Sequence, residues 1–215
     1  KDVDALNVFP VPDGDTGTNM SMTSSAAVRE LQVVSDDEDL SIVAAKTAAA
    51  LLRGARGNSG VILSLVFRGI SNGFKGKKEV GGKDLAAALT LGKESAYKAV
   101  MKPTEGTILT VVRKAAAAAE ALASDDCGAV LDEAYRAAQE ALAETPELLP
   151  VLKEAGVVDA GGQGFLYILD GIRGYINEGK FIESNDDASP AKSNAEESKS
   201  VVAAASGDIK YGYCS

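Results

Sequence analysis

Apolar side chains recur at helical spacing along most of the chain, and polar or glycine-rich breaks separate the apolar stretches. This spacing indicates amphipathic α-helices, and the β-branched runs that favour strands are scarce. The pattern predicts eight helices, over residues 18 or 19 to 33, 40–53, 58 or 59 to 74, 84–101, 107–124, 128–144, 145–155 and 162–177. Because short connections join them, we expect an all-α fold, an eight-helix antiparallel bundle or barrel.

Proline and glycine mark the breaks in this pattern. Residues 4–17 contain Pro10 and Pro12, which exclude a helix over that part of the segment. Residues 72–82 are rich in glycine and charge, and are predicted to form a loop. Thr145 followed by Pro146 is typical of a helix cap and a first-turn proline, so the seventh helix is predicted to begin there.

The composition changes after the eighth helix. Serine and alanine dominate residues 183–207, which contain no aromatic side chain, so this segment is predicted to be a disordered linker. Apolar residues alternate over 208–215, as in the first strand of a further domain that is cut off. The predicted organisation is therefore a helical domain over 1–182 followed by a flexible tail.

Charge and composition exclude several classes of function. The chain has 22 basic and 31 acidic residues and a net charge of −9, which argues against a nucleic-acid binder. No apolar run is long enough for a membrane span. The absence of histidine excludes Ser-His-Asp and Cys-His catalysis and His-ligated zinc. Two cysteines, Cys127 and Cys214, are expected to be free thiols in a cytoplasmic protein.

The densest chemical signal is the loop Asn7-Val-Phe-Pro-Val-Pro-Asp13-Gly-Asp15-Thr-Gly-Thr-Asn19. Two carboxylates one residue apart in a proline-stiffened loop suit a hard cation such as Mg²⁺, and Asn7 could add a neutral oxygen. The alternative is a solvated acidic turn that caps the first helix. An EF-hand loop is excluded because its fifth and twelfth positions, counted from Asp13, hold Gly17 and Ser24.

Three glycine-rich turns precede predicted helices. Gly54-Ala-Arg-Gly-Asn-Ser-Gly60 offers free backbone N–H groups, a hydroxyl and a cation, as a phosphate site requires. The other two are Lys102-Pro-Thr-Glu-Gly-Thr107 and Val158-Asp-Ala-Gly-Gly-Gln-Gly164. Such turns also occur as plain connections, and no Walker sequence is present. In an up-and-down bundle, helices one, three, five and seven begin at the same end. The eighth helix, with its glycine-rich turn, would then begin at the opposite end, unless the short seventh helix does not cross the fold.

In these four motifs and in their order, the chain resembles the nucleotide-binding domain of dihydroxyacetone kinases. The resemblance is closest to the amino-terminal kinase domain of bacterial fatty acid kinase catalytic subunits, and it covers residues 1–182. It implies an eight-helix barrel that binds ATP or ADP at one end through two Mg²⁺ ions. Dihydroxyacetone kinases have an aspartate at the position that matches Asn7 and a histidine at the position that matches Thr16.

The resemblance also assigns roles to residues. It implies that Asp13 and Asp15 bind the metal ions, with Asn7 as the third ligand, and that these two carboxylates act in catalysis together with Arg56. The phosphates are expected at Thr16, Gly17, Thr18, Asn19, Asn58 and Ser59. The adenosine is expected near Thr107, Ile108, Asp159, Ala160 and Gly161.

The implied reaction is transfer of the γ-phosphoryl group of ATP to a fatty acid carboxylate, which gives an acyl phosphate. The implied partner is a separate fatty-acid-binding protein of the DegV type that presents the fatty acid. Its docking surface is not readable from the sequence, and the basic loop over 75–83 is one hypothesis. Two alternatives stay open: a dihydroxyacetone-type kinase subunit, and a non-catalytic nucleotide-sensing or scaffold module.

Overall fold

The computed structural model describes residues 1–35 and 37–179. This part of the chain contains a short 3₁₀-helix, Asp4–Leu6, followed by eight α-helices. These are α1 (Thr16–Leu31), α2 (Leu40–Arg53), α3 (Gly57–Gly73), α4 (Gly82–Ala99), α5 (Ile108–Leu122), α6 (Cys127–Leu148), α7 (Pro150–Ala155) and α8 (Ala160–Glu178). The all-α prediction is confirmed. The predicted linker over 183–207 and the predicted strand over 208–215 lie outside the described residues.

The seven long helices close into a ring. Each of α1 to α6 packs on the next helix along the chain, α8 packs on α6, and α8 also contacts α1. Successive long helices run in opposite directions because short connections join them. The predicted eight-helix antiparallel barrel is therefore confirmed, with α7 as a short turn against α6. None of the helices in the described ranges is both long and apolar enough to span a bilayer.

Small side chains let the barrel helices approach closely. The core contains Leu63 and Val66 of α3 and Val111 of α5, and alanines of α5 and α6 fill the space between them. Helices α3 and α4 approach each other closely at Gly69, where a Cβ would lie 2.6 Å from the Cα of Gly92. Because neither backbone can yield, this contact needs glycine.

The seventh helix does not begin at Thr145, so that prediction is wrong. Helix α6 continues through Pro146 to Leu148, and the proline at the start of α7 is Pro150. Proline lacks the N–H that would bond the carbonyl four residues earlier. The hydroxyl of Thr145 donates to that carbonyl, the Leu142 oxygen, at 2.7 Å, so the helix tolerates the proline.

Helix α7 has only six residues and does not cross the barrel. Helix α6 ends, and α8 begins, at the same end of the barrel. The direction of the eighth helix, which the sequence left open, is therefore settled. Helices α1, α3, α5 and α8 all begin at one end, and the α3–α4 connection lies at the other end, about 25 Å away along α3.

Two glycine substitutions test this packing. Gly69→Ala should lower the free energy of unfolding by about 1–3 kcal/mol, because its methyl group would overlap the α4 backbone. Gly174→Ala on α8 is the matched control, since its Cβ would meet no atom within 4 Å. It should raise the free energy of unfolding by about 0.5–1 kcal/mol through helix propensity. Urea unfolding measures both, and equal effects would contradict the close packing of α3 on α4.

Candidate functional site

A cavity of about 600 Å³ opens at the end of the barrel where α1, α3, α5 and α8 begin. The acidic loop, the first turn of α3 and the α4–α5 connection form its walls. Its lining residues are Asn7, Phe9, Pro10, Val11, Asp13, Asp15, Thr16, Asn19, Gly57, Asn58, Ser59, Val61, Ile62, Leu65, Ala99, Val100, Lys102, Thr104, Thr107, Ile108, Leu109, Asp159 and Gly161. Residues from all four motifs therefore meet at one place.

The acidic loop is held by Asn7, which is buried. The Asn7 Nδ2 donates to Asp13 Oδ1 at 2.5 Å, and the Asn7 Oδ1 accepts from the Thr16 hydroxyl at 2.9 Å. Asp15 is the N-cap residue of α1, but its side chain makes no capping hydrogen bond. Asn7 thus fixes Asp13 against the start of α1 and leaves the Asp15 carboxylate to face the cavity.

The start of α1 is capped by a distant residue. Asp4 of the 3₁₀-helix accepts from the backbone N–H and the hydroxyl of Thr18, both at 2.9 Å. The hydrogen bond from the Thr18 backbone is the main cause that lowers the pKa of Asp4. This cap explains why α1 begins at Thr16, earlier than predicted. It also places Gly17 and Thr18 beside Asp4, outside the cavity lining.

The first turn of α3 is tied to α1 by Thr23, which is fully buried. The Thr23 hydroxyl donates to the Asn19 carbonyl at 2.7 Å and accepts from the Arg56 backbone N–H at 3.1 Å. Gly57 takes a φ of +59°, and a Cβ there would meet the Asn19 side chain. This packing directs Asn58 and Ser59 into the cavity, whereas the Arg56 side chain is exposed and does not line it.

Asp159 joins the starts of α5 and α8. Its carboxylate accepts from the Gly162 N–H at 2.7 Å and from the Ile108 N–H, and its own N–H donates to the Thr145 hydroxyl at 3.1 Å. Burial raises the pKa of Asp159 to about 6, and the two backbone hydrogen bonds oppose that rise. The geometry gives Asp159 a clamping role between two helix N-termini.

The structure brings most of the predicted site residues together. Four of them do not line the cavity: Arg56, Gly17, Thr18 and Ala160. Sequence reasoning missed the apolar wall formed by Val61, Ile62 and Leu65, which reads as ordinary core in an amphipathic helix. It also did not assign Lys102 to the site, although Lys102 belongs to the glycine-rich turn over 102–107.

The cavity carries uncompensated negative charge. Its lining has three carboxylates, of Asp13, Asp15 and Asp159, and one cationic side chain, Lys102. Within the described part of the chain, neither Asp13 nor Asp15 forms an ion pair. Over the same residues, no group of three or more acidic or cysteine side chains could hold a metal ion by itself. Two carboxylates fit a cation that takes its other ligands from phosphate and water.

The fold is thus an antiparallel helical barrel with an acidic loop and four helix N-termini at one end. The DAK2 domain profile matches residues 10–174, and the chain belongs to this dihydroxyacetone kinase family. The resemblance to the dihydroxyacetone kinase family is thereby confirmed. The family is kinase-related, and the chain is a dihydroxyacetone-kinase-like module.

Relatives among curated proteins cover nearly the whole chain. Protein YloV of Bacillus subtilis is 45% identical over 99% of this chain and 39% of its own length. Uncharacterized protein SH1689 of Staphylococcus haemolyticus is 43% identical, and Uncharacterized protein SERP0792 of Staphylococcus epidermidis is 42% identical, each over 99% of this chain and 39% of its own length. The chain thus spans about two fifths of the length of these relatives.

The Asp159 environment predicts a pH dependence. Because the pKa of Asp159 is above its ordinary value of 3.8, the folded state binds more protons than the unfolded state between pH 4 and 6. The stability that this group contributes is complete below its ordinary pKa and is lost as the pH rises through about 6. The difference in free energy of unfolding between wild type and Asp159→Asn should fall over this range. A difference that stays constant or rises would contradict the raised pKa.

Proposed function

We propose that the chain is the ATP-binding domain of a kinase that phosphorylates the carboxylate of a fatty acid. The observation that carries the proposal is the juxtaposition of Asp13 and Asp15 with the first turn of α3, whose N-cap residue makes no side-chain hydrogen bond, around one cavity. Oxygen ligands for a divalent cation and N–H groups for an anion are what a metal–polyphosphate complex requires. The cavity volume of about 600 Å³ lies within the usual range of ligand sites.

In this proposal Asp13 and Asp15 hold two Mg²⁺ ions, and Asn7 keeps the Asp13 carboxylate in place. Mg²⁺ supplies charge neutralisation for the phosphates and for the transferred phosphoryl group. Asn58, Ser59 and the free N–H groups at the start of α3 bind phosphate oxygens. The apolar wall of Val61, Ile62 and Leu65 and the starts of α5 and α8 accommodate the nucleoside of ATP or ADP.

The chemistry of the site favours a carboxylate as the acceptor. A fatty acid is already ionised at neutral pH, so one of its oxygens can bond to the γ-phosphorus of ATP while the bond from that phosphorus to the bridging oxygen breaks. The products are acyl phosphate and ADP, and no proton has to be removed. A hydroxyl acceptor would need a base, but this proposal assigns Asp13 and Asp15 of the lining to metal ions, and Asp159 is engaged by two backbone N–H groups.

The acceptor must reach the open end of the barrel. We propose that a fatty-acid-binding protein of the DegV type presents the fatty acid there, in the cytoplasm where ATP is available. The basic loop over 75–83 is a poor docking surface, because it lies at the other end of the barrel. Three of its lysines also form ion pairs: Lys77 with Asp84, Lys78 with Asp39 and Lys83 with Asp125.

Asp13→Asn tests the metal assignment. Loss of one carboxylate should weaken binding of ADP in the presence of Mg²⁺ by roughly 10- to 100-fold, as measured by calorimetry, without a large change in melting temperature. Asp2→Asn is the matched control, because Asp2 is exposed and does not line the cavity. Equal affinities for wild type and Asp13→Asn would contradict the assignment.

We propose that this chain is the kinase domain of a longer protein, as its relatives are longer, so the acceptor is tested with that longer protein. With ATP, Mg²⁺ and a fatty-acid-loaded DegV-type protein, hydroxylamine should trap acyl phosphate as a hydroxamate. Dihydroxyacetone should give no phosphorylated product. Turnover with dihydroxyacetone alone would favour the dihydroxyacetone-type kinase. Nucleotide binding without turnover on either acceptor would favour a nucleotide sensor, and failure to bind nucleotide would favour a scaffold.

A further inference from the structure

The connection between α4 and α5 forms one wall of the cavity, and a closed hydrogen-bond ring holds it from outside. Lys102, Thr104 and Thr107 of this connection line the cavity, whereas Glu105 does not. The Glu105 Oε1 accepts from the Tyr97 hydroxyl at 3.0 Å, and its Oε2 accepts from Arg113 Nη2 at 2.8 Å. The Arg113 Nε donates to the Tyr97 oxygen at 3.2 Å, which closes the ring.

A second set of hydrogen bonds connects this ring to the backbone of the 102–107 turn. The hydroxyl of Thr110, a fully buried residue, donates to Glu105 Oε2 at 2.6 Å and accepts from the Gly106 N–H at 2.8 Å. Gly106 has a φ of +80°, and a Cβ there would lie 2.8 Å from the Cβ of Leu149. The turn is thus packed between α5 and the end of α6, and a side chain at Gly106 would not fit there.

The same turn starts α5. The Thr107 hydroxyl donates to the Thr104 carbonyl at 2.7 Å and accepts from the Leu109 N–H at 3.4 Å, so the cap of α5 depends on the path of the turn. Although burial alone would raise the pKa of Glu105, hydrogen bonds from Thr110, Arg113 and Tyr97 lower it overall. Glu105 is therefore ionised at neutral pH and holds its three donors as an acceptor only.

We propose that Glu105 is a positioning residue, which sets the path of the 102–107 turn and so the placement of Lys102, Thr104 and Thr107 against the nucleotide. It does not line the cavity and acts through the turn. This inference rests on the proposed function for the identity of the ligand, but the effect of Glu105 on the turn does not depend on it.

The test compares Glu105→Ala with Glu133→Ala, which removes an ion pair with Arg136 on the outer face of α6, away from the cavity. Glu105→Ala should weaken MgADP binding roughly tenfold and speed amide hydrogen exchange at residues 106–110. Glu133→Ala should change neither property. Glu105→Gln, which keeps an acceptor oxygen for Thr110, should restore part of the affinity and of the protection.

Unchanged exchange at 106–110 in a folded Glu105→Ala variant would overturn the positioning role, whatever the ligand proves to be. Faster exchange with unchanged MgADP affinity would also overturn it, because the ring would then stabilise the turn without serving the site. If the wild type binds no MgADP, the proposed function fails, and hydrogen exchange alone decides whether Glu105 sets the turn.

Discussion

Helix α7 is too short to cross the barrel, and the site depends on this constraint. An ordinary helix in its place would carry the chain to the other end and start α8 far from the acidic loop. Instead α8 begins beside α1, α3 and α5, and its cap, Asp159, bonds to the N–H groups of both α5 and α8. Four helix N-termini thereby meet at one cavity. Asp4 and Asp159 bond to N–H groups of α1, α5 and α8, whereas the N-cap of α3 makes no side-chain hydrogen bond, so the partial positive charge at the start of α3 favours an anion there.

The acidic loop carries negative charge beside this positive helix N-terminus, and the two together decide which ligand the cavity can bind. A cavity with helix N-termini alone would hold a free anion, and a cavity with carboxylates alone would hold a cation. Here Asp13 and Asp15 lie in the same cavity as the start of α3, and the lining has one cationic side chain. The arrangement is complementary to a complex that carries both signs of charge, such as a nucleotide polyphosphate bound to Mg²⁺.

The sequence pattern predicted the helix bounds that depend on residues close to them in the chain. The bounds of α2 were predicted as observed, because periodicity and the polar residue at Asp39 lie within the segment itself. The start of α1 was predicted late, since its cap, Asp4, lies outside the helix, at the start of the 3₁₀-helix. The start of α7 was predicted wrongly at Pro146, because the bond from Thr145 to Leu142 that rescues the proline becomes visible only in the fold.

The motifs of the site were readable because glycine and aspartate clusters are rare outside turns and binding loops. The residues that hold these motifs in place could not be predicted from the sequence. Tyr97, Glu105 and Arg113 look like ordinary surface residues of separate segments, and only the packing of α4 on α5 brings them together. Likewise, the sequence does not reveal that the Arg56 backbone bonds to Thr23 or that the Arg56 side chain is exposed and does not line the cavity.

The most direct test of the account is anomalous scattering from crystals grown with ADP and Mn²⁺ in place of Mg²⁺. We expect a manganese peak within bonding distance of the carboxylates of Asp13 and Asp15, next to the phosphates. A nucleotide bound in the cavity with no manganese at these two residues, or with manganese held elsewhere, would contradict it.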